Sequence, residues 1–314
     1  MLRSHEKRDH GGGLDEAARI FGGTRSDWLD LSTGINATPY PFTHPPADAW
    51  TDLPDSGAYD ALNDAARRFW DVPDAAAVLA TPGLSAAIAQ IPRLAPPGRV
   101  NIPTPTYNEH AASFAAAGWQ VSDENPTAQV LVHPNNPDGY VWRKTDLTAP
   151  LRIIDESFCD LMPDRSLIDH AADGRTLVLK SFGKFWGLAG LRLGFVIGSN
   201  DHIERLASML GPWPVSGPAL SIGTEALADV DWATAQRASL QTDAARIDRL
   251  FTDAGATVTG GTDLFRLYTV DNAAAWQERL ATHQIWTRIF PYSGTWLRVG
   301  LPPASGWDRL EAAL

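Results

Sequence analysis

The sequence predicts an α/β protein, with a large domain built on a doubly wound, mostly parallel sheet and a smaller α+β domain after it. From Ala75 to about residue 200, short apolar runs alternate with helical patterns, the order expected of a parallel sheet with crossover helices. Those runs lack polar alternation, as do strands covered on both faces. Past Pro212, Pro214 and Pro218 the order changes, to a long helix followed by strand, helix, strand, strand and helix.

The chain has 314 residues and is 44% hydrophobic, enough for a sizeable core and more than one domain. A net charge of −11 argues against a nucleic-acid surface, so arginines of functional interest must act locally on small anions. The single cysteine, Cys159, excludes an internal disulfide framework, and the eight histidines show no metal-ligand spacing, so no metal is expected. Met1 to His10 is charged and runs into glycines, unlike a secretory signal, and no apolar run approaches membrane-spanning length. A cytoplasmic protein that does not engage membranes is expected.

Residues 1–40 read as an N-terminal arm that joins the small domain: His10-Gly-Gly-Gly13, a helix from about Leu14 to Phe21, then Trp28-Leu-Asp-Leu-Ser-Thr-Gly-Ile-Asn36. Gly34 before Ile35 and Asn36 suggests backbone exposed near a ligand, or simply a glycine-rich entry loop. Residues 41–230 read as the large domain. Pro39 to Pro54 is a proline-punctuated connection, and Tyr59 to Trp70 has the amphipathic spacing of Leu62, Ala65, Ala66 and Phe69. Strands are expected at Ala77–Ala80, Val100–Ile102, Gln129–Val132, Leu151–Ile154, Thr176–Leu179 and Leu193–Ile197, with helices such as Ser85–Leu94 and Asn108–Ala117 between them. Residues 231–314 read as the small domain: a helix from about Asp231 to Ala254 with Leu240, Ala244, Ile247 and Phe251 on one face, strand Leu264–Val270, helix Ala273–His283, strands Trp286–Phe290 and Trp296–Leu301, and a last helix from about Trp307.

Polar groups cluster just past the large-domain strands, where open α/β sheets bind ligands. Gly83-Leu84-Ser85 places a glycine turn and a serine at a helix start, suited to a phosphate, although Ser85 serves equally as a plain N-cap. Tyr107 offers a ring for stacking on a heteroaromatic ligand, or is a packed loop tyrosine. The turn Asn135-Asn136-Pro-Asp-Gly139 makes an asparagine amide available to a ligand oxygen. Asp155 follows a buried strand directly, where its ionisation needs a nearby cation or donor. A protonated pyridine nitrogen would be such a partner; an Asp155–Glu156 metal site is the alternative, with no histidine nearby in sequence. Ser181-Phe-Gly-Lys184 sets a lysine among Phe182, Phe185 and Trp186, whose desolvation would free its amine for Schiff-base chemistry. Taken alone, Lys184 reads as a surface lysine on a turn.

The order Gly83, Tyr107, Asn136, Asp155, Ser181-x-x-Lys184, Arg192, Arg298 resembles the aspartate-aminotransferase-like, fold type I family of pyridoxal-phosphate enzymes over nearly the whole chain. The resemblance implies that Lys184 forms a Schiff base with pyridoxal 5'-phosphate. Asp155 would bond the pyridine nitrogen, Asn136 would lie near the phenolic oxygen and Tyr107 would stack on the ring. The Gly83-Leu84-Ser85 turn, Ser181 and Arg192 would hold the phosphate, and Arg298 would clamp a substrate carboxylate. Lys184, Asp155 and Tyr107 are then the catalytic candidates.

Within that family, His10-Gly-Gly12, Leu31-Ser-Thr-Gly-Ile-Asn36 and Ile153-Ile-Asp-Glu-Ser-Phe158 look like the threonine-phosphate decarboxylases of cobalamin synthesis, relatives of histidinol-phosphate aminotransferases. Arg288 sits where relatives carry a second arginine facing the substrate's phosphate. Substrate contacts are therefore expected from His10, Gly34, Ile35, Asn36, Arg288 and Arg298, in a homodimer. The implied reaction, a lyase reaction, converts L-threonine O-3-phosphate to (R)-1-amino-2-propanol O-2-phosphate. A histidinol-phosphate-type aminotransferase is the enzyme alternative, and a non-catalytic pyridoxal-phosphate- or nucleotide-binding protein the remote one. Two positions depart from the pattern. Phe158 stands where many relatives have a tyrosine that bonds the phenolic oxygen. Leu53 stands where a relative's tyrosine reaches the neighbouring subunit's phosphate.

Overall fold

A computed structural model describes residues 9–314. Residues 1–8 of the expected arm lie outside the described residues. The chain forms two compact units. One takes the chain up to Ala37 together with Ser239–Leu314, and the other is Thr38–Ala238. The second division falls inside a helix, where no proline or glycine marks it.

The arm supplies α1 (Leu14–Phe21) and the short strand β1 (Leu29–Asp30). Leu14 and Ala17 of α1 pack with Trp28 and Ala281. α2 (Asp48–Thr51) and α3 (Ser56–Trp70) come next; α3 buries Leu62, Ala65, Ala66 and Trp70 and ends at Asp71 in a left-handed conformation, with φ 50°. Phe69, expected on the buried stripe, is half-buried, and Trp70 takes that place.

The core of the large unit alternates β2 (Ala77–Thr81), α4 (Leu84–Gln90), β3 (Arg99–Asn101), α5 (Asn108–Ala116), β4 (Gln120–Val121), β5 (Ala128–Val132), β6 (Leu151–Asp155), β7 (Thr176–Ser181) and β8 (Gly194–Gly198). Then follow α6 (Asn200–Leu210), α7 (Gly217–Ala228) and α8 (Val230–Asp253). The strands form one seven-stranded sheet in the order β2-β8-β7-β6-β5-β3-β4. β5 and β8 are buried along their whole length, as their unbroken apolar runs require. β4 is an addition to the expected strands, because two exposed residues carry no readable pattern. The helix expected over 85–94 stops at Gln90 and continues as a 3-10 turn, since Pro92 cannot donate to an α-helical bond. Ser85 is not the cap of α4: Gly83 holds that position and Ser85 lies in the first turn.

From β7 through β6, β5 and β3 to β4 the strands are parallel, while β8 runs antiparallel to both β2 and β7. The exits of β2, β3, β5, β6 and β7 therefore share one edge with the entrance of β8.

In the other unit come β9 (Thr257–Thr262), β10 (Phe265–Thr269), α9 (Ala273–Thr282), β11 (Ile285–Trp286), β12 (Arg288–Phe290), β13 (Ser293–Gly300) and α10 (Trp307–Ala313). Its four-stranded antiparallel sheet has the order β12-β13-β10-β9. The single strand expected over 286–290 is two strands: β11 pairs with β1, and β12 joins the sheet after Thr287. β9, rich in threonine and glycine and largely exposed, lacked the apolar pattern that would have announced it. No described helix is long and apolar enough to cross a membrane.

Candidate active site

A cavity of about 140 Å³ opens at the shared edge of the large sheet. β2 leads into the Gly83-Leu84-Ser85 turn, and Tyr107 caps α5 after β3. Asn136 follows β5, Asp155 ends β6, and Ser181 and Lys184 follow from β7; all of these line the cavity. Arg192 lines it too, by a different route. It precedes the antiparallel β8, so it arrives at the edge through the strand's entrance, in a left-handed conformation with φ 54°. Every cofactor-binding residue expected from the sequence is thus in one place. Of the two adjacent asparagines, the turn uses Asn135 itself, which accepts from Thr106 Oγ1 at 2.6 Å and donates to Asp138 Oδ1 at 2.8 Å. Asn136 is the one on the cavity.

Gly83 has φ 80° and ψ 153°, a region open to glycine, and a Cβ there would press into the Arg192 guanidinium. The close approach brings backbone and guanidinium donors together, a cradle suited to a phosphate. The lysine's surroundings differ from the expectation. Phe182, Phe185 and Trp186 are fully buried in a stack, with Trp186 packed on Trp232 at 5.4 Å. Lys184 itself is half-buried, with Nζ 5.6 Å from the centre of the Phe158 ring.

Asp155 is 2% exposed and accepts three hydrogen bonds: from Ser157 N at 3.0 Å and Ser157 Oγ at 2.5 Å on Oδ1, and a 2.8 Å bond to His110 Nε2 on Oδ2. Burial pushes its pKa up, but the bonds to His110 and Ser157 outweigh burial and leave it below the ordinary carboxylate value. His110 and Ser157 were not among the expected site residues. His110 stands three positions after Tyr107, and the rings meet edge-on at 5.9 Å, but no local pattern in the sequence marks it.

Glu156, the carboxylate that follows Asp155, is engaged by donors of this protein. His133, Glu156 and Cys159 do bring potential ligand atoms within 4.8 Å of one another. But Glu156 accepts from Lys180 Nζ at 2.5 Å, Ser166 Oγ at 2.7 Å and Leu167 N at 2.6 Å. His133 Nδ1 accepts from Trp142 N, so Nε2 carries the hydrogen donated to Arg165 O. The buried ammonium of Lys180 already supplies the cation.

The expected substrate-binding residues all lie in the other unit. Gly34 and Asn36 are buried and Ile35 half-buried just past β1, while His10 is exposed. Arg288 and Arg298 stand opposite each other on β12 and β13. Arg298 is 4% exposed and donates from Nη2 to Ser32 O at 2.5 Å; burial, then the neighbouring Arg288 charge, lowers its pKa. Arg288 Nη2 donates to Asp9 Oδ2 at 2.9 Å and to Asp9 O at 3.1 Å. Asp9 was not anticipated, although it directly precedes His10.

A fold of this kind, with a lysine, an aspartate and a glycine-arginine cradle on one sheet edge, defines a class. The family model for aminotransferase class I and II matches residues 122–313, and the chain belongs to that family. It is 43% identical to a threonine-phosphate decarboxylase of Sinorhizobium sp, over 96% of this chain and 95% of that protein. A threonine-phosphate decarboxylase of Pseudomonas aeruginosa is 38% identical, over 98% and 97%. Among solved structures, histidinol-phosphate aminotransferase from Sinorhizobium meliloti in complex with pyridoxal-5'-phosphate shares the fold at a TM-score of 0.81, with 18% identity and 99% and 97% coverage.

Proposed function

We propose that this enzyme is a pyridoxal-phosphate-dependent lyase that decarboxylates L-threonine O-3-phosphate to (R)-1-amino-2-propanol O-2-phosphate for cobalamin synthesis. The observation that carries the reading is end-to-end identity of 43% to a relative of that name, joined to a cavity that gathers the cofactor residues. The chemistry supplied by bound pyridoxal phosphate is an electron sink conjugated to the substrate's α-carbon. Asp155, kept ionised by His110 and Ser157, would hold a proton on the ring nitrogen. Asn136 would offer its amide to the phenolic oxygen, and Tyr107 its aromatic face to the ring. The Gly83-Leu84-Ser85 amides, Ser181 and Arg192 would bind the cofactor's phosphate. Lys184 would anchor the cofactor through its amine, and Lys184 or a water would supply the proton that the substrate's α-carbon takes up. Arg298 takes the substrate carboxylate, while Arg288, His10 and the Gly34-Ile35-Asn36 backbone take its phosphate.

The test is incubation with pyridoxal phosphate and threonine phosphate without any keto acid. Carbon dioxide and aminopropanol phosphate are expected; turnover only after addition of 2-oxoglutarate would make the enzyme an aminotransferase instead. Lys184→Ala should lose both turnover and the borohydride-reducible chromophore. The reading places the enzyme in the cytoplasm as a homodimer. Supporting the dimer, Leu53 is 65% exposed and lines a groove of about 550 Å³ with Pro46 and Leu220, close in sequence to the exposed Trp50. Sedimentation of the purified protein at twice the chain mass is the expected outcome.

A further inference from the structure

Two guanidiniums that face each other across paired strands repel, and such a pair needs an anion. Arg288 and Arg298 are opposite residues in the β12–β13 register. The anion in place is Asp9: its carboxylate lies 2.9 Å from Arg288 Nη2, and its own carbonyl accepts from the same nitrogen. Asp30, the other nearby carboxylate, bonds Ser32 N and Ser32 Oγ through Oδ1. We infer that Asp9 is a resident counter-ion which a phosphorylated ligand must replace, so that this side chain sets the enzyme's affinity for phosphate. The inference rests on the reading of Arg288 as the substrate-phosphate residue.

Three features suit Asp9 to exchange rather than to permanent structure. Its side chain is 40% exposed whereas that of Arg288 is 14% exposed, so the carboxylate sits on the solvent side of the ion pair. The segment is anchored beyond it. Gly12 N donates to Ser32 Oγ at 2.6 Å, Trp286 Nε1 donates to Gly12 O at 2.9 Å, and Gly11 packs so closely on Ser32 O that a Cβ would not fit. The side chain can therefore turn away while Gly11 and Gly12 stay docked. Finally, a carboxylate brings one negative charge where a phosphate dianion brings two, through the same kind of oxygen acceptor. A phosphate dianion is the stronger occupant of a cationic pair, and a competing carboxylic acid gains nothing over Asp9 itself.

The experiment titrates the holoenzyme with inorganic phosphate by calorimetry, in the wild type and in Asp9→Asn, which keeps the side chain's shape and the backbone bond to Arg288. Removing a partly exposed internal competitor should tighten phosphate binding about three- to tenfold. The gain should vanish in the Arg288→Ala background, because Asp9 acts through that guanidinium. Equal or weaker binding by Asp9→Asn would mean that the carboxylate merely positions Arg288, and the inference falls. Carbon dioxide release from threonine phosphate separates the two claims. Turnover with no gain in phosphate affinity overturns the counter-ion and leaves the function standing. A gain without turnover overturns the function and leaves Asp9 guarding a site for another phosphorylated ligand.

Discussion

A carboxylate as buried as Asp155 stays anionic because His110 and the two Ser157 donors offset the loss of water. Its folded pKa lies below the unfolded value of about 3.9, so the bonded carboxylate stabilises the fold above that pH and the contribution is lost as pH falls through the folded value. The same sign governs activity. Replacing His110 with phenylalanine removes a bond that favours the charged form, so the acid limb of the pH–rate profile should move to higher pH and kcat should fall about 10- to 1000-fold. An unmoved acid limb would show that His110 is only packed against the aspartate. Asp155 could be read from sequence because a carboxylate directly after a buried strand is conspicuous. His110 could not, since one histidine within a nine-residue helix, Asn108–Ala116, looks like any other until the fold brings that helix to the end of β6. Asp9 escaped notice for the same reason: nothing local pairs it with an arginine 279 residues further on.

At the scale of elements, the strand exits were legible because parallel strands buried on both faces read as unbroken apolar runs, and the polar residue that ends each run marks the loop. β4 and β9 were not, being short and exposed, or built of threonine and glycine. Nor was the direction of β8, since an apolar run has no visible polarity. That direction is what brings Arg192 to the cavity beside Gly83. The β2–α4 turn depends on this meeting. Gly83→Ala must place a Cβ at φ 80°, a backbone cost of about 1–3 kcal/mol, and must also push the guanidinium aside. Spectrophotometric titration of the apoenzyme should show pyridoxal phosphate bound about tenfold or more weakly. An unchanged dissociation constant would mean that the turn is structural and that the phosphate sits elsewhere.

Across the large unit, the exits of β6 and β7 are tied together by a buried ionic network. Lys180, 2% exposed on β7, pairs with Glu156 at 2.5 Å and lies 3.8 Å from Asp160. Asp160 accepts from Trp70 of α3 at 2.8 Å and from Trp186 at 3.2 Å, and Arg237 of α8 donates to its carbonyl at 2.6 Å. One lysine thus joins the strands that carry Asp155 and Lys184 to two helices. Burial alone would lower the Lys180 pKa, but the Glu156 and Asp160 charges raise it above the ordinary lysine value. Its contribution is therefore complete below about pH 10.4 and is lost only as pH rises through the folded value. Lys180→Met strands two buried carboxylates and should lower unfolding free energy by about 3–5 kcal/mol, read from the midpoint of urea denaturation at neutral pH. Pairing it with Glu156→Gln removes one stranded charge while keeping an acceptor for Leu167 N and offering the amide NH2 to Ser166 Oγ, so the double variant should regain a large part of that loss. If the two substitutions simply add, the network is a set of independent bonds, and the sheet edge owes its rigidity to the aromatic stack around Trp186 instead.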